Sequence, residues 1–256
     1  MFKTTEITSD KVTSDNPIHQ RLVFPYEECA KYINGHVLEV GCGFGRGIDI
    51  LGSHCESYTA IDKNKKLIEW LSNRYQDFTF IAQNIPPFSS IADNTYDFVV
   101  SFQVIEHIKN DELFVKEIQR VLKPGGKAIL TTPNIKLSLT RNPWHIREYT
   151  AEELTKLMKK YFSEVDMKGV HGNDKVMRYY ERNKKAVQKI AKWDIFNLQY
   201  NLPRQVLQVP YDLMNRVNRN KLQKQNDSLV VDINFDDYYV SDRPAESLDL
   251  FCVVTK

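Results

Sequence analysis

Short apolar runs alternate with longer amphipathic segments along the first two thirds of the chain. The run at 36–40 ends in glycines, and similar runs follow at 58–61, 96–102 and 127–132. Predominantly apolar runs of this length are typical of strands that are buried on both faces. The segment 111–122 has apolar residues at helical spacing instead. The pattern therefore predicts strands and helices in regular alternation.

This alternation predicts the fold class. Strand and helix follow each other five times with short connections, which is typical of an α/β fold with a doubly wound parallel sheet. Runs at 162–170 and 248–255 would add a sixth and a seventh strand. Ligands of such sheets bind beyond the carboxyl ends of the strands. The residues that follow each strand are therefore the first candidates for a site.

Four parts of the chain differ in character. Residues 1–35 form a polar N-terminal extension, with a short helix predicted at 26–33. Residues 36–173 contain the alternating core. Residues 174–225 form a basic helical insertion before the last strand, and residues 226–256 form a C-terminal segment that completes the sheet.

Composition narrows the class of protein. The chain is 42% hydrophobic and 27% charged, as expected of a globular protein, and its mean hydropathy is −0.46. It lacks eighteen consecutive apolar residues, and its N-terminus lacks a basic start followed by an apolar run. Its four cysteines include no C-x-x-C pair. We therefore expect a cytoplasmic protein with reduced thiols and no transmembrane helix.

Charge is distributed unevenly near the C-terminus. Residues 174–225 contain twelve basic and four acidic residues, whereas 226–256 contain two basic and seven acidic residues. One interpretation of the basic insertion is a helical cap whose charges are solvated. The other is a lid or peripheral surface that attracts an anionic lipid, a membrane or a sugar–phosphate acceptor. Nucleic acid is the weaker candidate, because the chain has no RNA-binding motif.

A glycine-rich loop follows the first strand. Gly41, Gly43 and Gly45 alternate behind Glu39, so the backbone can turn tightly and approach a ligand closely. The dinucleotide motif G-x-G-x-x-G would need glycine where Arg46 stands, and the phosphate-binding motif G-x-x-x-x-G-K-[ST] is absent from the sequence. A tight turn without a ligand is the alternative interpretation.

Asp62 closes the second strand. A carboxylate at this place can accept hydrogen bonds from both hydroxyls of a ribose. The alternative is that Asp62 caps the helix predicted at 64–75. The glycine loop on the neighbouring strand favours ribose binding.

Together these motifs resemble the class I S-adenosylmethionine-dependent methyltransferases, especially the methyltransferase type 11 branch that includes ubiquinone-pathway O-methyltransferases. The matching segments are 37–45, Asp62, 93–100, 104–107 and 122–126, within a similarity that covers about 36–170. The resemblance implies a Rossmann-like sheet of seven strands, mostly parallel, with an antiparallel last strand. It also implies S-adenosylmethionine as the cofactor.

The resemblance assigns roles to residues of this chain. Glu39 and the loop would hold the methionine part, Asp62 the ribose, and Asn84 the adenine, although the family often has Asp where this chain has Asn84. Cys42 is a small buried residue within the loop, and Lys63 has a solvated side chain as its alternative role. The full set of expected cofactor-binding residues is Glu39, Gly41, Cys42, Gly43, Gly45, Asp62, Lys63, Asn84, Ile85, Phe102 and Gln103.

The expected chemistry is a methyl transfer. A sulfonium methyl group is already electrophilic, so the protein needs to align the reactants, exclude water and, for a protonated acceptor, supply a base. His107 and His145 are the candidate bases, and the loop 134–149 is expected to cover the acceptor. We find no carboxylate pair after the fourth or fifth strand, and therefore expect no metal.

Three functions remain open from the sequence. The first is a methyltransferase that acts on a small-molecule or lipid-like acceptor, for which the resemblance to the family implies oxygen as the acceptor atom. The second is a non-catalytic binding module that retains the fold. The third is a nicotinamide-dependent reductase, which Arg46 disfavours because it replaces a glycine of the dinucleotide motif.

Overall fold

The computed structural model describes residues 12–192, 198–225 and 227–256. Its strands are β1 (His36–Val40), β2 (Ser57–Asp62), β3 (Thr79–Ala82), β4 (Tyr96–Phe102), β5 (Leu122–Pro133), β6 (Glu164–Gly172), β7 (Tyr238–Ser241) and β8 (Asp249–Thr255). Its helices are α1 (Asn16–Cys29), α2 (Ile48–Leu51), α3 (Lys65–Arg74), α4 (Asp111–Val121), α5 (Ala151–Met158), α6 (Asp174–Ala191), α7 (Leu198–Asn201), α8 (Arg204–Gln225) and α9 (Asp227–Val231).

In these ranges the strands form one mixed sheet in the order β3-β2-β1-β4-β5-β8-β6-β7. Strands β1 to β5 pair in parallel, whereas β8 is antiparallel to both β5 and β6. The strand order reverses between β1 and β4. This reversal opens a crevice at the carboxyl ends of the two strands, where α/β sheets bind ligands.

The predicted count of seven strands is wrong. The described residues form eight, because the short strand β7 pairs with β6 at the edge of the sheet. Strand β7 has four residues and follows an acidic stretch, and its apolar run of three residues is too short to indicate a strand. Tertiary contacts stabilise it: the Tyr238 hydroxyl donates to the carbonyl of Pro17 in α1, at 2.7 Å.

The helix predicted at 26–33 is also misplaced. Helix α1 begins at Asn16 and ends at Cys29, with Pro17 in its first turn and Pro25 in its interior. Proline fits the first turn of a helix because the amide hydrogen there has no intrahelical partner. Pro17 therefore does not prevent α1 from beginning ten residues before the predicted helix.

Successive side chains of β1 point to opposite faces of the sheet, and each face carries its own cluster of buried apolar residues. Val37 packs in one cluster of buried apolar residues, and Leu38 packs in the other. Glu39 lies on the same face as Val37, because side chains two residues apart point the same way. That face is covered by α1, which contributes Phe24 and Tyr26 to the cluster.

The chain between β6 and β7 is helical where the structure describes it. Helix α8 is anchored to the start of the described chain: Arg216 and Arg219 both donate to Asp15, which is 1% exposed. Pro210 lies inside α8 without ending it. Residues 193–197, part of the predicted basic insertion, lie outside the described residues, as do 1–11 of the predicted N-terminal extension.

Among the described residues, no helix has the length and hydrophobicity needed to cross a membrane.

Candidate active site

The glycine loop between β1 and α2 adopts left-handed backbone conformations. The φ angles are +83° at Gly41, +51° at Gly43 and +74° at Gly45. A Cβ at Gly41 would lie 2.5 Å from Val104, and one at Gly45 would meet Ile48 at the same distance. A Cβ at Gly43 would have no atom within 4 Å. Two glycines are therefore required by internal packing, whereas Gly43 leaves its backbone open to a ligand.

Asp62 lies directly beside this loop. One carboxylate oxygen accepts from the backbone N–H of Gly43 at 3.1 Å, and the other accepts from the N–H of Asn64 at 2.8 Å. Each oxygen can accept a further hydrogen bond. The interpretation of Asp62 as a helix cap is wrong, because the N-cap of α3 is Asn64, whose side chain accepts from the N–H of Leu67.

Glu39 lies beneath the loop and is 1% exposed. Its carboxylate accepts hydrogen bonds from the hydroxyls of Tyr26, at 2.6 Å, and Tyr58. Burial raises the pKa of Glu39 to about 7, although Tyr26 and the charge of Arg46 act in the opposite direction. A direct contact of Glu39 with a cofactor stays a prediction.

Tyr26 is a residue of this site that the sequence did not reveal. Besides its bond to Glu39, its ring packs edge-on against Phe102 with centroids 4.7 Å apart. A Cβ at Gly47 would lie 2.1 Å from the same ring. Helix α1 therefore packs against the end of the glycine loop through Tyr26. Tyr26 and the loop are about twenty residues apart in the sequence, so no local sequence pattern indicates this contact.

The other predicted cofactor residues follow β1 to β4 at the same edge of the sheet. Cys42 and Phe102 are buried, Ile85 and Gln103 are partly buried, and Lys63 and Asn84 are exposed. Gln103 has a φ angle of +57°, and its backbone N–H donates to the carbonyl of Thr131 at 2.9 Å. The predicted residues thus lie at or just after the carboxyl ends of neighbouring strands, with Lys63 and Asn84 exposed, and their contact with a cofactor stays a prediction.

Next to the crevice lies a cavity of about 300 Å³, which we call the acceptor cavity. Gln103 belongs to its wall and also to the predicted cofactor set. The polar residues that line the cavity include Arg21, Gln103, Glu106, His107, His145, Glu148, Tyr179, Asn183, Tyr211, Asn215, Asn218 and Arg219. They come from α1, from the loops after β4 and β5, and from α6 and α8, so distant segments of the chain build this cavity.

The two predicted bases are neighbours there. The rings of His107 and His145 have centroids 5.0 Å apart and are nearly perpendicular. His107 Nδ1 lies 3.0 Å from the carbonyl oxygen of Trp144, so Nδ1 carries the hydrogen and Nε2 carries the lone pair. Burial, and the charge of His145, lower the pKa of His107 to about 4. His107 is therefore neutral near pH 7.

His145 differs in how its lone pair is used. Its Nδ1 lies 2.6 Å from a carboxylate oxygen of Glu148, which places the hydrogen on Nδ1. Its Nε2 then accepts from the side-chain amide of Asn142, at 2.8 Å. Because that lone pair has a partner, His145 is less well prepared than His107 to accept a proton.

Glu106 is a candidate base that the sequence pattern did not reveal. It is 1% exposed, and one of its carboxylate oxygens accepts from the Thr132 hydroxyl at 2.9 Å. Burial raises the pKa of Glu106 to about 7. A base with a pKa near the working pH is efficient. The one indication in the sequence was that Glu106 directly precedes the predicted base His107.

Glu106, His107 and His145 also form a potential cation site. Each offers one ligand atom, and these atoms lie within 4.8 Å of one another. One carboxylate and two imidazoles suit a divalent transition metal. The expectation of a reaction without metal therefore stays a prediction that needs a direct test.

Comparison with known proteins identifies the domain. The family described as "Methyltransferase domain" matches residues 38–130, which span the glycine loop, Asp62 and Glu106. The chain contains a class I S-adenosylmethionine-dependent methyltransferase domain.

Relatives of this methyltransferase domain support the same family. A "Probable S-adenosylmethionine-dependent methyltransferase" of Mycolicibacterium smegmatis is 36% identical over 169 residues, which is 64% of this chain and 65% of the relative. A "Ubiquinone biosynthesis O-methyltransferase" of Rickettsia akari is 32% identical over 46% of this chain and 49% of its own length. The chain thus spans less than two thirds of these relatives.

A solved structure shares the fold of the methyltransferase domain. It is described as a "SAM-dependent methyltransferase, possible histamine N-methyltransferase" of Thermotoga maritima. The TM-score is 0.56 at 17% identity, and the similarity covers 93% of this chain and 91% of that one. The α/β Rossmann-like fold is therefore confirmed. The cofactor of this family is S-adenosylmethionine, and the open backbone at Gly43 beside Asp62 fits a nucleoside.

Proposed function

We propose that this chain transfers a methyl group from S-adenosylmethionine to an oxygen of a small, lipid-like acceptor, by direct displacement without a metal. The main support is the acceptor cavity, whose wall includes Gln103, Glu106 and His107, directly after β4, the strand that pairs with β1. S-adenosylmethionine supplies an electrophilic methyl group when it is bound. Oxygen is the acceptor atom in the function named for the Rickettsia akari relative.

In this proposal some residues bind the cofactor and others accept the proton of the acceptor. The loop backbone and Asp62 hold the cofactor, and Glu39 with Tyr26 supports the loop from below. A hydroxyl acceptor must lose a proton as its oxygen is methylated. Glu106 and His107 line the acceptor cavity, and either can take that proton.

Calorimetry tests the cofactor part of the proposal. We expect S-adenosylhomocysteine to bind saturably and NADH to show no heat of binding on the same sample. Preferential binding of NADH would instead support the nicotinamide-dependent reductase. The family match disfavours that alternative, because residues 38–130 align with methyltransferases.

A transfer assay separates an enzyme from a binding module. The donor is S-adenosylmethionine with a tritiated methyl group, and the acceptors are alkyl-substituted phenols. We expect tritium in the extracted phenol, at a rate that EDTA leaves unchanged. Cofactor binding without transfer to any of them would support the non-catalytic module. A rate that falls with EDTA and recovers with a divalent cation would contradict the metal-free proposal and point to Glu106, His107 and His145.

We further propose peripheral contact of the insertion with anionic membranes. Arg182, Lys185, Lys189 and Lys221 line one groove between α6 and α8, where they concentrate positive charge. Sedimentation with vesicles of phosphatidylglycerol should show binding that weakens as salt increases. Absence of binding at low salt would exclude this contact.

A further inference from the structure

A second cavity opens next to the acceptor cavity, between α7, α8 and the segment 140–143. Its volume of about 430 Å³ lies within the range of small-molecule sites. We call this cavity the α8 groove. Its apolar lining includes Leu198, Leu202, Val206, Leu207, Pro210 and Met214.

The α8 groove has few charged groups in its wall. Arg141 is the one charged residue among the described residues that line it. Its guanidinium donates to the backbone carbonyls of Gln199 and Tyr200 in α7, each at 3.1 Å. This pairing ties the charge to α7. A wall of this composition favours a hydrocarbon chain over a polar ligand.

The α8 groove shares part of its wall with the acceptor cavity. Tyr211, Asn215 and Asn218 line both, as do Thr140 and Val187. The shared wall is mostly polar, and beyond it lie the candidate bases. A polar cavity and an apolar groove that adjoin in this way have the chemistry of a site for an amphiphile.

Apolar side chains continue from the groove to the surface of α8. Met214 and Val206 line the groove while remaining 46% and 57% exposed. Exposed apolar residues that border a groove are typical of binding sites. They offer a ligand with a hydrocarbon chain a continuous apolar path from the surface.

We propose that the α8 groove binds the hydrocarbon chain of the methyl acceptor, while the polar head of the acceptor lies in the acceptor cavity. This inference rests on the proposed methyl transfer and names its substrate class, a hydroxylated amphiphile with an alkyl or alkenyl chain. The residues that line the groove all lie beyond residue 139, outside the region that matches the methyltransferase family.

A fluorescent amphiphile tests the groove in the full chain. The probe is 11-(dansylamino)undecanoic acid, whose emission rises in apolar surroundings. We expect saturable binding and displacement by octyl, decyl and dodecyl sulfate below their micelle concentrations. Affinity should rise about fourfold for each added methylene, because each buried methylene contributes a constant increment.

Two variants test whether the probe binds in the α8 groove. Met214→Glu and Val206→Glu put a charge into the groove and should each weaken probe binding at least tenfold. Leu213→Glu is the matched control: it lies on the same helix and is 56% exposed, but it does not line the groove. It should leave probe binding unchanged. The affinity for S-adenosylhomocysteine, measured on each variant, should equal that of the wild type and report correct folding.

The outcomes separate this inference from the proposed function. Probe binding that Met214→Glu and Val206→Glu leave intact, or an equal loss in Leu213→Glu, would overturn the groove and place the probe on the outer face of α8. Absence of saturable probe binding would overturn it as well. If S-adenosylhomocysteine binds but the probe does not, only the proposed role of the α8 groove fails. If S-adenosylhomocysteine does not bind, the proposed methyl transfer fails as well.

Discussion

The variant Gly43→Ala measures whether the loop backbone approaches the cofactor. In the protein alone a Cβ at Gly43 meets no atom within 4 Å, so the added methyl group causes no internal clash. The φ angle of +51° is left-handed, which costs a residue with a Cβ about 1–2 kcal/mol of folding stability. For a chain of this size, that cost lowers Tm by about 2–8 °C.

Cofactor affinity should fall by more than this loss of stability explains. If the nucleoside packs against the bare backbone, the methyl group overpacks the contact at about 1–3 kcal/mol, which is about 5- to 150-fold in Kd. Titration calorimetry with S-adenosylhomocysteine, at a temperature where the variant is fully folded, measures the affinity. Gly43→Val should enlarge the loss.

Gly125→Ala is the matched control for this experiment. Gly125 has a φ angle of +79°, and a Cβ there also meets no atom within 4 Å, but it lies in β5 before the run that faces the core. The two alanine variants should therefore lose similar stability, and only Gly43→Ala should lose cofactor affinity. Unchanged affinity in Gly43→Ala, or an equal loss in both variants, would refute our placement of the cofactor.

Three other predictions test separate parts of the site. Asp62→Asn should weaken S-adenosylhomocysteine binding about 10- to 100-fold, because hydrogen bonds to a charged acceptor contribute about 1.5–3 kcal/mol; calorimetry that shows no change would remove Asp62 from the site. Tyr26→Phe should cost about 1–3 kcal/mol in denaturant unfolding, because a buried donor to Glu39 is lost. The folded-state pKa of Glu39, about 7, is raised above its ordinary 4.5, so stability declines as pH rises from about 4.5 to 7, and loss of the Tyr26 bond raises that pKa further. The difference between wild type and Tyr26→Phe should therefore grow above pH 7, and a difference independent of pH would contradict this account of Glu39. Finally, if Glu106 is the base, kcat/KM should rise with pH through about 7, and Glu106→Gln should abolish this rise. A value of kcat/KM that is already constant above pH 5 would instead favour His107, whose pKa is about 4.

Local signals in the sequence were sufficient for the core of the fold. Strands that are buried on both faces need continuous apolar runs, and the runs that end at Val40 and Phe102 were therefore recognised. The capping box at Thr150 and Glu153, a local contact, forms at the start of α5. The short strand β7 carries no such signal, because it is stabilised by pairing with β6 and by Tyr238.

The sequence alone indicated the edge of the sheet where the candidate site lies, because the glycine loop directly follows a strand and Asp62 ends the next one. Only the tertiary structure decided which other side chains complete that site. Tyr26 reaches Glu39 from α1, Glu106 acquires a pKa near 7 through burial, and α8 supplies an apolar groove beside the acceptor cavity. These properties depend on segments far apart in the chain that pack together, and burial of that kind leaves no periodic pattern in the sequence.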